Sequence, residues 1–184
     1  MNSNNAPTDM SLQPLLLGAG KILVLLQQLE HVVKLCCEYL QIKGIQISSE
    51  DLFSEQPKKR IHTLGRILTA MKEPMGFKQS FQTRLDVFIK SRNTFIHDYW
   101  TKNEVYSIDE PIDQIKLQKI AEFEGNLYSE IIYMTQVFLG LHYSTGVLLA
   151  SREGKSEEFE TDPEYERMRK YAPIFLSVIE SEQS

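Results

Sequence analysis

Between residues 77 and 102 the chain carries neither proline nor glycine, and its apolar residues recur at steps of three and four. That spacing predicts one helix with a single buried face. With Leu85 at 0° and about 100° per residue, Phe81, Phe88, Ile89, Phe95, Ile96 and Tyr99 fall within roughly 80° of it. Arg92 falls about 20° away, in the middle of this apolar stripe. His97 falls about 120° away, on a flank with Asn93, Asp86 and Lys90. An arginine keeps its proton, so burying it unpaired costs several kcal/mol. It must face a carboxylate, backbone carbonyls or a phosphate. An ion pair with Glu30 or Glu38 of the first helix and a phosphate-binding role are both open on position alone.

The same periodicity organises the rest of the chain. A long amphipathic helix is expected from residue 12 to about 42, bent near Gly18 and Gly20 and ended by Gly44. A second spans 58–72, with Ile61, Leu64, Ile67, Leu68 and Met71 on one face. Gly65 inside it would permit a close helix approach. A turn at 73–76 leads into the helix described above, and a loop at 103–111 follows. A fourth helix runs from about 112 to 152, with Gly125, Gly140 and Gly146 as tolerated interruptions. Residues 152–160 read as charged and mobile. Asp162-Pro163 is an N-cap followed by proline at the first helical position, opening a short helix to Tyr171. Pro173 interrupts it before a last turn at 174–179. There are no repeats and no strand patterns. The expected class is all-α: an antiparallel helical bundle of four main helices plus a short C-terminal helix. It forms one domain over 12–184 behind a disordered tail at 1–11.

Composition narrows the function. A chain of 184 residues with 42% hydrophobic and 24% charged residues is an ordinary soluble domain. The apolar run at 15–26 is broken by Gly18, Gly20 and Lys21, too short for a membrane span, so no membrane partner is expected. The first ten residues lack the basic start of a secretory signal. Adjacent Cys36 and Cys37 point about 100° apart on a helix and read as buried core residues in a reducing cytoplasm. His31, His62, His97 and His142 are scattered, so no metal site and no cofactor are expected. Net charge is −5, yet residues 58–102 hold ten basic residues against three acids, leaving −12 on the remainder. A basic middle within an acidic chain suits either a phosphate-binding cleft or a solvated cationic face.

Arg92-Asn93-Thr94-Phe95-Ile96-His97, on the second half of an amphipathic helix in an all-helical chain, resembles the HEPN superfamily. That family's signature is an arginine, a polar residue directly after it, and a histidine four to six residues beyond the arginine. Tyr99 extends the match to the Arg-x4-His-x-Tyr form of HepT-like toxins. The resemblance implies a metal-independent endoribonuclease, a toxin or defence effector acting as a homodimer on RNA. Arg92, Asn93 and His97 would be its catalytic residues. In such enzymes the ribose 2′-OH attacks the adjacent phosphate and leaves a 2′,3′-cyclic product. Histidine suits the proton transfer because imidazole titrates near neutral pH. Arginine suits the phosphorane because its planar fork matches two phosphate oxygens. Asn93 would orient the imidazole or donate to a phosphate oxygen. In one ideal α-helix Arg92 and His97 lie about 140° apart, so they would meet one phosphate only at a groove edge or with help from a second copy.

Tyr99 matches the tyrosine that a partner nucleotidyltransferase antitoxin modifies in HepT-like toxins; it also reads as a core or dimer-interface residue. Lys58, Lys59, Arg60 and Lys90 would track an RNA backbone, and Trp100 would stack on a base or anchor the helix end. A second reading keeps the basic middle but drops the chemistry: a non-catalytic helical module binding nucleotide or RNA. A third is an interaction protein in which Arg92 is a buried ion pair.

Overall fold

A computed structural model describes residues 12–40, 63–72, 74–102 and 113–180, without the side chains of 38–40. These residues form α1 (Gln13–Leu40), α2 (Leu64–Met71), α3 (Gln79–Asn93), a π turn (Thr94–Asp98) and α4 (Tyr99–Lys102). They continue with α5 (Gln114–Glu153), α6 (Ser156–Thr161), α7 (Pro163–Arg169) and α8 (Ala172–Val178). The described chain is all-α. The expected tail, the connection after α1, the basic run Lys58-Lys59-Arg60, His62 and the loop at 103–111 lie outside the described residues.

Two long helices build the centre. In α1 Leu15, Ala19, Ile22, Leu26, Leu29, Val33 and Cys36 follow steps of four and three, and all are buried. In α5 the series at 117, 120, 124, 127, 131, 134, 138 and 141 has the same steps and is equally buried. Such steps keep side chains on one stripe, and the two stripes pack together. Each large apolar side chain removed from water here contributes about 1.5–3 kcal/mol. Cys36 and Cys37 belong to this core as free thiols. Burial pushes Cys37 up to about 11 and Cys36 higher still.

Pairwise contacts give the helix directions. Gly18 lies against the Glu124 carboxylate, and the Cys36 thiol donates to the Phe138 carbonyl at 3.3 Å. Both helices therefore advance together, and α1 runs parallel to α5. Against the same helix α3 runs the other way: Phe81 meets Tyr133 with ring centroids 6.3 Å apart, Arg84 pairs with Glu130 at 2.8 Å, and Tyr99 reaches Glu124. Antiparallel packing thus describes α3 on α5, whereas α1 and α5 depart from the antiparallel expectation.

Helix α1 is unbroken through Gly18 and Gly20. It also outruns the short apolar run at 15–26: over Gln13–Cys37, at mean hydropathy 1.3, it is long and apolar enough to cross a membrane by length and composition. Its seam is buried on α5, while Leu17, Leu23 and Val24 are exposed. Gly65 is not needed for helix approach, since a Cβ there would meet Ile89 at an ordinary 3.5 Å.

The C-terminal part is helical. Residues 152–160, read from sequence as charged and mobile, close α5 with left-handed Gly154 (φ +71°) and begin α6. Phe159 of α6 packs on Tyr165 of α7 with centroids 3.8 Å apart. Its ring atoms lie 2.6 Å from where a Cβ of Gly146 would stand, so that glycine admits the ring. Asp162 caps α7 by accepting from the Glu164 N–H at 2.8 Å, with Pro163 in the first turn. Pro173 opens α8 in the same manner. Phe77 and Ile179 then form an antiparallel bridge, a pairing that helical periodicity does not anticipate. The Lys78 N–H donates to the Val178 carbonyl and the Glu180 N–H to the Gly76 carbonyl, both at 2.8 Å. Gly76 sits at φ +58°, a conformation open to glycine without strain. The bridge staples the start of α3 to the residues just beyond α8.

Candidate active site

Along α3, the π turn and α4, residues 81, 85, 88, 92, 95 and 99 repeat the steps of four and three. Every member is a buried apolar or aromatic residue except Arg92, which is half-buried. Its Nη1 donates to Asn93 Oδ1 at 3.1 Å. Its Nε is buried and has no hydrogen-bond partner among the described residues. No described carboxylate pairs with it; Glu30, one expected partner, pairs with Lys34 at 2.7 Å instead. The side chain of Glu38, the other, lies outside the described residues. A buried donor without an acceptor costs about 1–3 kcal/mol, more for a charged group. The site therefore holds a cation with unspent donor capacity toward an anion.

The motif crosses a change of helix type. Asn93 is the last α-helical residue of α3, and Thr94–Asp98 form the π turn. A π turn closes by i→i+5 hydrogen bonds and is frequent at functional sites. It takes in one residue more than an α turn, so the residues beyond it are rotated back by about 100°. Arg92 and His97 are five apart, and His97 lies near the end of the turn. Because the turn lies between them, their separation about the helix axis is smaller than the about 140° of a straight α-helix. His97 itself is exposed, and Arg92 is half-buried. One expectation is corrected: Ile96, inside the π turn, leaves the apolar stripe and is 38% exposed, while Tyr99 just beyond it stays buried.

The remaining expected site residues divide. Lys90 is exposed on α3. Trp100 is 40% exposed and packs edge-on against Tyr99, with ring centroids 4.7 Å apart. Lys58, Lys59 and Arg60 lie outside the described residues. Several cations of the basic middle are already engaged. Arg84 holds Glu130 with two bonds of 2.8 and 2.9 Å and covers the Tyr133 ring. Lys72 pairs with Asp86, Lys102 with Asp98, and the Lys78 ammonium donates to the Ser177 carbonyl. Among the described residues, Arg66, Lys90 and Arg92 make no ion pair.

Tyr99 is 3% exposed, and its hydroxyl donates to Glu124 Oε1 inside the protein. Burial, then the bond to Glu124, pushes its phenol well above the usual range. A modifying enzyme would reach this hydroxyl only after the bond opens. Sequence reasoning misses Glu124, although a signal exists. It is the one charged member of an otherwise apolar series between Leu117 and Leu141. Burial raises its carboxyl above the ordinary 4.5, while the Tyr99 hydrogen bond works in the opposite direction. The folded protein thus holds this proton more tightly than the unfolded chain. The associated stability is complete below the ordinary value and is lost as pH rises through the raised one. Glu124→Gln lacks this titration. The melting temperature of the wild type relative to that variant is therefore expected to rise as pH falls from 7 towards the ordinary carboxylate range. Thermal unfolding followed by circular dichroism at several pH values checks it, and a constant difference would refute the assignment.

The chain matches no family model, no curated protein and no solved structure.

Proposed function

We propose that this protein is a metal-independent endoribonuclease of the HEPN type, with RNA as its partner. The observation that carries the reading is the buried Nε of Arg92, without a hydrogen-bond partner among the described residues, beside Asn93 and five residues before an exposed His97 within the π turn. A phosphate offers what this cation lacks. Arg92 would hold two phosphate oxygens through its fork, and Asn93 would donate its amide N–H to one of them. His97, reachable from solvent, would take the proton from the ribose 2′-OH as that oxygen attacks phosphorus. The bond to the 5′ oxygen breaks, leaving a 2′,3′-cyclic phosphate, and the 5′ oxygen gains a proton. In this reading the π turn narrows the angle between the two groups about the helix axis. Dimerisation is retained as the family's way of forming the cleft. In such a dimer, α1, α2, α3 and α5 are the four main helices of a HEPN-like bundle.

A second reading, a module that binds RNA or nucleotide without cutting, has one observation in its favour. Asn93 Oδ1 is turned to Arg92, and no hydrogen bond among the described residues fixes the imidazole of His97. Cleavage of total RNA by purified protein in EDTA separates the two. The expected result is cutting that survives EDTA and leaves cyclic-phosphate ends. Binding with no cutting would establish the second reading and remove the first.

A further inference from the structure

The residue that follows the π turn is Tyr99, and it is buried. Its ring packs against Phe95 with centroids 4.9 Å apart, and its hydroxyl donates to Glu124. Glu124 is itself held from the far side. A Cβ on Gly18 of α1 would collide with Glu124 Oε2, so α1 leaves a recess that only a glycine provides for this carboxylate. The acceptor thus lies between α1 and α5, where Tyr99 meets it. A single polar group in an apolar seam sets register at a cost in stability. Here the register it can set is that of the motif helix. A π turn is rare because its hydrogen-bond geometry competes poorly with the α form, and tertiary contacts must maintain it. Relaxing 94–98 to α-helix would change the rotation and rise of Tyr99 relative to α5, so its bond to Glu124 would not keep the same geometry, and would return His97 to about 140° from Arg92.

We propose that the hydrogen bond from Tyr99 to Glu124 is the latch that holds the π turn, making Glu124 a positioning residue for His97. Its effect on cleavage rests on the ribonuclease reading; its effect on helix register does not. The two are measured separately. The only tryptophan, Trp100, touches Tyr99 edge-on and reports the junction by its fluorescence. Amide hydrogen exchange over 94–99 reports the turn itself.

Tyr99→Phe keeps the ring and removes the donor. Glu124→Leu removes the acceptor. Gly18→Ala crowds the carboxylate from α1 while leaving both partners in the sequence. All three are expected to shift Trp100 emission and to speed exchange at 94–99 at least tenfold, while exchange in the middle of α5 stays as in the wild type. Glu124→Gln, whose amide oxygen still accepts from the phenol, is expected to retain the protection. Cleavage by the three breaking variants should fall with the loss of protection, through the maximal rate more than through RNA affinity. Unchanged exchange at 94–99 in Tyr99→Phe and Gly18→Ala would overturn the latch. So would acceleration spread equally over the whole molecule, or full cleavage by variants that have lost the protection. If the wild type cuts no RNA, the ribonuclease reading fails alone, and the exchange and fluorescence results still decide the latch.

Discussion

His97→Ala is expected to lower RNA cleavage by about 10²–10⁴, the usual contribution of a positioned proton-transfer group. Arg92→Lys is expected to lower it by about 10²–10³, the scale for losing one oriented donor to a developing charge, because an ammonium cannot reproduce the two-pronged fork. The variants differ in what else they disturb. His97 is exposed and makes no hydrogen bond among the described residues, so its removal should leave the melting temperature nearly unchanged; surface substitutions of this kind stay within about 0.5 kcal/mol. Arg92 is half-buried and bonded to Asn93. Cleavage rates against RNA, read beside thermal melts of the same preparations, make the test. Equal cutting by wild type and His97→Ala would take the imidazole out of the chemistry. A lysine at 92 that cuts as well as arginine would take the fork out of it.

Gly140→Ala is expected to be among the most damaging single-methyl additions in the chain. A Cβ at Gly140 would stand 2.8 Å from Phe175 Cβ and against the Tyr171 carbonyl oxygen. The carbonyl is backbone, so α8 must move to make room. Overpacking of this kind costs about 1–3 kcal/mol. At about 2–4 °C per kcal/mol for a chain of this size, the melting temperature should fall by roughly 2–12 °C. Gly20→Ala provides the opposite sign. It lies in α1 with nothing within 4 Å of its would-be Cβ, and alanine is favoured over glycine in a helix by up to about 1 kcal/mol. Thermal melts of the two variants should move in opposite directions. A Gly140→Ala variant that melts at or above the wild type would show that α8 does not depend on this approach.

The extent to which the fold could be read from sequence depends on which forces are local. The three-and-four spacing located α1, α3 and α5, because burial of one face is a property of a helix's own sequence. The Asp162-Pro163 cap was legible for the same reason: the capping bond spans two residues. Helix α6 was not. Its stretch has one ring, Phe159, and that ring is useful only because Gly146 and Tyr165 wait for it on other helices. Gly140 and Gly146 read as mere interruptions because a glycine's purpose lies in the partner it admits. The candidate site divides along the same line. Arg92 announced itself as a charge on an apolar stripe. Glu124 carried the same signature on α5, but one carboxylate among many on a forty-residue helix is recognised only when the entire series is counted. The π turn left no local trace: the steps of four and three run through 92, 95 and 99 as they would in an α-helix.

The bridge between Phe77 and Ile179 bears on the order in which the molecule assembles. As the chain emerges during synthesis, α3 and the motif appear before α5. The carboxylate that anchors Tyr99 arrives later, on α5, and Ile179, which pins the start of α3, arrives later still. Both ends of the motif segment are thus tied to residues that come after it. Closing so long a loop costs only modestly more than closing a short one, but it cannot happen until the distal residues exist. A nascent chain would carry the motif segment before either tie can form, and the segment would be held at both ends only once the residues just beyond α8 have emerged.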